Sequence, residues 1–118
     1  VGTTTNNGAA AASTEVPWRE VLLRKEAFCP VLAEVPLDVP PSSRDDPLSF
    51  LRAAADFAQR NVLGSLTAAI LIDDKTVREN EDEFDRILAH HMPYGIVGVN
   101  IWPVFAHSMP QMLWGAYP

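Results

Sequence analysis

A carboxylate and an aromatic ring stand two positions apart at Glu26 and Phe28, in the run Lys25-Glu26-Ala27-Phe28-Cys29-Pro30-Val31-Leu32, where a charged turn gives way to an apolar stretch. Such a turn can hold an acid and a ring side by side at the end of a sheet. Other reactive residue types are sparse. Cys29 is the single cysteine, and no base or helix start stands beside it to lower its pKa, so it reads as a structural residue and not a nucleophile. His90 and His91 are neighbours in a helical stretch, where adjacent side chains diverge by about 100° and cannot converge on a metal unaided, and His107 stands apart. All three read as structural or solvent-facing, and no metal site is expected. The acidic run Glu79-Asn80-Glu81-Asp82-Glu83 suits a solvated helix face with negative charge near its N-terminal end. A helix denies it the looped ligand order that calcium needs. The threonines and asparagines between Gly2 and Gly8 have neither the spacing nor the lysine of a phosphate loop.

The elements that would position Glu26 and Phe28 follow in order. Residues 1–20 are read as an irregular N-terminal arm, because the Thr, Asn, Gly and Ala of its first thirteen positions offer little apolar surface to offset the entropy of ordering. From Val31 the pattern alternates, with Val31, Ala33, Val35 and Leu37 on one face and Leu32 and Glu34 on the other, which predicts a half-buried strand that Pro36 places near an edge. Residues 39–46 form a loop. Asp46-Pro47 then predicts a helix start, with Asp46 as N-cap and Pro47 at the first helical position. Leu51, Ala54, Ala55, Ala58 and Val62 recur at helical spacing, and Gly64 stops the helix. Leu66 to Ile72 is a nearly unbroken apolar run, as expected of a strand covered on both faces. After Asp73-Asp74, the spacing of Thr76 and Glu79 predicts a capping box. Val77, Phe84, Ile87, Leu88 and His91 share a side of the helix that follows, and Pro93 ends it. Gly95 to Ile101 is a third strand. Trp102 to Pro118 is an aromatic, proline-broken tail whose Trp102, Phe105, Met109, Met112, Leu113, Trp114 and Tyr117 are too apolar to leave in water.

Strand, helix, strand, helix, strand is the order of a right-handed, Rossmann-like parallel α/β unit. Its open edges imply that residues 21–118 lean on more sheet than they contain. A chain of 118 residues with 47% apolar content suffices for one such domain. Its net charge of −6 argues against nucleic acid or an anionic membrane as partner, since both reward a basic surface. No apolar run approaches the roughly 20 residues that span a bilayer, and the start lacks the order of a signal peptide, so a soluble, cytoplasmic chain is expected.

The run from Glu26 to Val31 resembles the Glu-x-Phe-Gly-Pro-Val segment of the aldehyde dehydrogenase superfamily, with Cys29 where that family has glycine. The likeness continues in order. Asn61 to Ala69, reading Asn-Val-Leu-Gly-Ser-Leu-Thr-Ala-Ala, resembles the family's Asn-x-x-x-Gly-Leu-x-Ala-x run. Tyr94 to Asn100 resembles its Gly-x-Val-x-Val-Asn strand, and Leu113-Trp114-Gly115 stands where the family reads Pro-Phe-Gly-Gly. The resemblance spans residues 23–117 and implies a C-terminal part of an aldehyde dehydrogenase-like catalytic domain, cut from a larger protein that assembles as a homo-oligomer. It implies that Glu26 binds the hydroxyls of the nicotinamide ribose of NAD or NADP and that Phe28 packs near the nicotinamide ring. A carboxylate can accept from two vicinal hydroxyls, and an aromatic face excludes water beside a hydride-transferring ring. It further implies that Trp114 lies close to the aldehyde tunnel, although a Trp packed in the core accounts for that residue equally well. The complete enzyme would oxidise an aldehyde to an acid through a covalent cysteine intermediate. The nucleophile, the general base and the dinucleotide phosphate site belong to motifs outside this chain, so the chain contains no catalytic residue and is expected to be inactive alone. The residues also admit a second reading, a noncatalytic α/β module whose aromatic tail binds a partner.

Overall fold

The structure, a computed structural model, describes residues 18–118. It is a small α/β unit: two parallel strands, five helices and a terminal 3-10 turn. Helix α1 (Trp18–Arg24) begins inside the stretch read as an arm, and residues 1–17 of that arm lie outside the described residues. A short α2 (Pro41–Arg44), which corrects the expectation that residues 39–46 are all loop because Pro41 stands in its first turn, precedes the long α3 (Pro47–Asn61). Strand β1 (Thr67–Ile70) leads through α4 (Asp74–Glu79) and α5 (Glu81–His91) to β2 (Ile96–Val99), and the 3-10 turn covers Pro103–Ser108.

Helix α3 starts where the sequence places it. Pro47 occupies the first turn, where its missing N–H costs nothing, and the Asp46 carboxylate accepts from the Leu48 N–H at 3.1 Å. The Ser49 hydroxyl also donates to Asp46, and this bond is the first cause of a carboxyl pKa held below its ordinary value. The helix closes at Val62, and Gly64, with φ of 104°, takes the left-handed turn that directs the chain into β1.

The two strands pair in parallel with Thr67 opposite Ile96 and Ile70 opposite Val99. Alternation then sends Ala68, Ile70, Val97 and Val99 to one face, where Val99 and Ile72 meet a core of Leu48, Phe84 and Ile87. Ile87 is fully buried, and α3 and α5 supply this layer. Across it Arg52 of α3 pairs with Glu83 of α5, which also holds Arg86 at 2.8 Å.

Three further expectations need correction. The segment from Val31 to Leu37 is not a strand: the sheet has two strands and the segment pairs with neither. Its burial alternates from Leu32 on, with Ala33, Val35 and Leu37 half-buried and Leu32, Glu34 and Pro36 exposed, but Val31, expected on the inward face, is exposed. Prolines at 30 and 36 also remove two donors from any ladder. Second, the apolar run around β1 is not covered on both faces: Thr67 and Ala69 are exposed and Leu71 is 85% exposed, so the tail that returns over this face does not bury them. Third, the helix expected after Asp73 is two helices. Asp73, not Thr76, is the cap, accepting from the Thr76 N–H at 2.9 Å, and the chain breaks at Asn80 (φ −137°, ψ 37°), whose amide donates to the Thr76 carbonyl. A carboxylate is the stronger acceptor for an N-terminal N–H, so Asp73 displaces the predicted capping box.

Candidate functional site

Glu26 and Phe28 lie in a coil that leaves the end of α1. That end is fastened to the end of α3 twice: the Leu63 N–H donates to the Leu23 carbonyl at 2.9 Å, and the Arg24 guanidinium donates to the Arg60 carbonyl at 3.1 Å. Three residues beyond Leu23 comes Glu26, which is exposed, and two further comes Phe28, 88% exposed with a left-handed φ of 48°. A bulky residue with positive φ is uncommon and marks a turn held by its surroundings or by its task. Neither side chain hydrogen-bonds or packs ring to ring with another described residue, so the acid and the ring present open faces to whatever binds there. Cys29 follows as an exposed free thiol; its reading as a packed structural cysteine is corrected, since nothing in the described structure buries it.

Trp114 lies in the tail, which folds back across the sheet. From Pro103–Ser108, packed on both strands, the chain returns to the entrance of β1. There the Tyr117 N–H donates to the Ser65 carbonyl and the Ser65 hydroxyl donates to the Tyr117 carbonyl, both at 3.1 Å. Trp114 stays 42% exposed, with the His107 ring edge-on at 5.0 Å, so in this chain it is not a core residue. Leu63 and Ser65 are two residues apart. The loop between α3 and β1 therefore holds both candidate regions, the Glu26–Phe28 turn through Leu23 and the Trp114 region through Tyr117. No ring contact or hydrogen bond among the described residues joins Glu26 or Phe28 to Trp114 directly.

The cavities lie elsewhere. A groove of about 580 Å3 runs along β1 beside α3, lined by Phe50, Leu51, Ala54, Ala58, Ala68 and Ile70 among others. Its wall on the sheet side is β1 and the residues that follow it, Ala68 to Asp73. A smaller hollow of about 150 Å3 lies between β2 and the tail, beside Trp102, Phe105 and Met109. Neither includes Glu26, Phe28 or Trp114.

The histidines divide. His91, at the end of α5, bonds Asp56 of α3 through Nδ1 at 2.8 Å, while the Gln59 amide donates to the His91 carbonyl. His90 is exposed, and His107 faces Trp114. Among the described residues no three His, Cys, Asp or Glu side chains converge as a metal would need.

One residue escaped the sequence reading. Asn100, named there only as the last residue of the Tyr94–Asn100 motif and given no role, has φ of 54° and a carboxamide spent on the exit of β1: Oδ1 accepts from the Ile72 N–H at 2.9 Å, and Nδ2 donates to the Ile72 carbonyl at 2.8 Å and to Asp74 at 2.9 Å. The only local signal was its residue type, since Asn tolerates the left-handed region better than other polar side chains of its size. No helix among the described residues is long and apolar enough to cross a membrane. Compared with protein-family models, curated proteins and solved structures, the chain matches none.

Proposed function

We propose that this chain is the C-terminal part of the catalytic domain of an NAD(P)-dependent aldehyde dehydrogenase-like oxidoreductase, contributing part of the nicotinamide site and a wall of the aldehyde tunnel. The observation that carries the reading is the shared tether. The turn bearing Glu26 and Phe28 and the tail bearing Trp114 are distant in sequence, yet both are fastened to the Leu63–Ser65 loop. The four motifs that resemble the family in order include both of these regions and the loop that joins them.

The residues fit half of a nicotinamide site. Glu26 offers a carboxylate without a described partner, able to accept from a ribose diol, and Phe28 offers an open ring face against which a planar ring can stack and lose its water. The nicotinamide, when bound, accepts hydride. The part of this chain is to orient the ribose, keep water away and shape the aldehyde path at Trp114. The unpaired edge of β1, the exposed Leu71 and the exposed Trp102 and Leu113 are surfaces for the remainder of the same polypeptide or for a second copy in a homo-oligomer.

The exposed tail also favours a second reading, a noncatalytic module that binds a partner through Trp102, Phe105 and Leu113, which are 67%, 52% and 91% exposed. The test is aldehyde-dependent reduction of NAD or NADP by the complete protein that carries this chain. Reduction that requires a cysteine upstream of residue 1 supports the dehydrogenase. No reduction with any aldehyde, and no such cysteine or glycine-rich cofactor turn upstream, leaves the interaction module.

A further inference from the structure

Asn100 sits where β2 ends and the tail begins, and its bonds are unusually concentrated. Its backbone N–H donates to the Ile70 carbonyl at 2.8 Å, extending the β1–β2 ladder by one bond. Its carboxamide then behaves as a further strand residue, satisfying both the N–H and the carbonyl of Ile72, and its remaining donor reaches Asp74. The amide orientation is fixed by chemistry, because the Ile72 N–H can only donate and so must face Oδ1, while the Ile72 carbonyl can only accept and so must face Nδ2. With the side chain held this way the backbone takes φ of 54° and reverses the chain at once.

The reversal lays the tail on β2. A β-carbon on Gly98 would stand 2.6 Å from the Ile101 carbonyl oxygen and 3.1 Å from Pro103, so the returning chain uses the space that a side chain would fill. Pro103 is buried there, and the tail continues over the sheet to Trp114 and its anchor at Ser65. The direction in which the tail starts is thus set by Asn100, and Trp114 lies downstream of that choice.

We propose that Asn100 is a positioning residue that aims the aromatic tail and, through Trp114, sets the girth of aldehyde the tunnel admits; the second half of this rests on the dehydrogenase reading. Asn100 itself touches neither substrate nor cofactor in this account. Its effect passes through the path of residues 101–117.

The test uses the complete protein with Asn100→Gly, which keeps the left-handed backbone but removes the carboxamide, and Asn100→Asp, which keeps the shape but replaces the donors with a carboxylate beside Asp74. Two readouts are taken: hydrogen exchange of the bonded amides of Phe105, Met109 and Tyr117 against those of α5, and relative kcat/KM for slender and bulky aldehydes. We expect tail exchange to rise by about tenfold or more while α5 holds its rate. The ratio of kcat/KM for slender against bulky aldehydes should change by on the order of tenfold. Exchange that rises equally in α3, α5 and the tail would make Asn100 a general stabiliser and overturn the proposal, as would unchanged tail exchange in both variants. Faster tail exchange with an unchanged ranking overturns the tunnel half alone. A wild-type protein that reduces no cofactor overturns the dehydrogenase reading and the tunnel half together, and tail exchange then decides by itself whether Asn100 aims the tail.

Discussion

Gly95 and Gly115 are in such close backbone contact that a β-carbon on Gly95 would overlap the Gly115 carbonyl. The contact closes the tail onto the residue that precedes β2, whose own N–H donates to the Ser65 carbonyl at 2.8 Å. Gly95→Ala should therefore push the tail off the sheet entrance. Because the clash is with backbone, relief needs movement of the whole 115–118 segment, and overpacking of this sort costs about 1–3 kcal/mol. Urea denaturation of the complete protein measures it. A variant as stable as the wild type, with Tyr117 exchange unchanged, would show that the two glycines need not approach.

The cap of α3 makes a prediction about acid. Asp46 has a carboxyl pKa lowered first by the Ser49 hydroxyl bond, with the Leu48 N–H and Arg52 adding to it. A folded-state pKa below the unfolded one means that its stabilisation is present above the unfolded value of 3.8 and is lost as pH falls through the lower folded value. Asp46→Asn keeps an N-cap acceptor but removes the charge, so its difference from wild type should shrink as the pH of a thermal melt is taken below 3.8. A difference that stays constant across that range would mean that charge at Asp46 does not contribute.

His91 and Asp56 join the end of α5 to the middle of α3 across 35 residues. Both are about one-third exposed, so the bond is partly screened, and its contribution should be modest, about 0.5–1.5 kcal/mol. A double-mutant cycle with His91→Ala and Asp56→Ala isolates it. Additive losses would show that the two side chains are not coupled.

Much of this organisation was legible from local chemistry. Asp46-Pro47 begins α3, Gly64 turns the chain, and the two apolar runs become adjacent parallel strands, because caps, glycines and periodicity act within a few residues. What failed was whatever depended on a distant partner. The alternation from Ala33 to Leu37 correctly marks an inward face, but strand pairing needs a neighbour, and the described chain provides none for it. Thr76 and Glu79 have the spacing of a capping box, yet Asp73 reaches the Thr76 N–H first. The clamp made by Asn100 could not be read at all, since Ile72 and Asp74 are 28 and 26 residues away. For the candidate site, the sequence marked Glu26, Phe28 and Trp114, whereas their common anchorage at Leu63 and Ser65 emerges only from backbone hydrogen bonds.

The most direct measurement is single-turnover cofactor reduction by the complete protein and its Glu26→Gln variant, with the melting temperature of each. Gln keeps the shape of Glu26 but loses the charge that would hold the ribose hydroxyls, and Glu26 is exposed, so little stability depends on it. Aldehyde-dependent reduction is expected in the wild type, slower by on the order of tenfold or more in the variant, at an unchanged melting temperature. Normal turnover in a variant whose melting temperature has fallen would make Glu26 a structural residue and contradict the account.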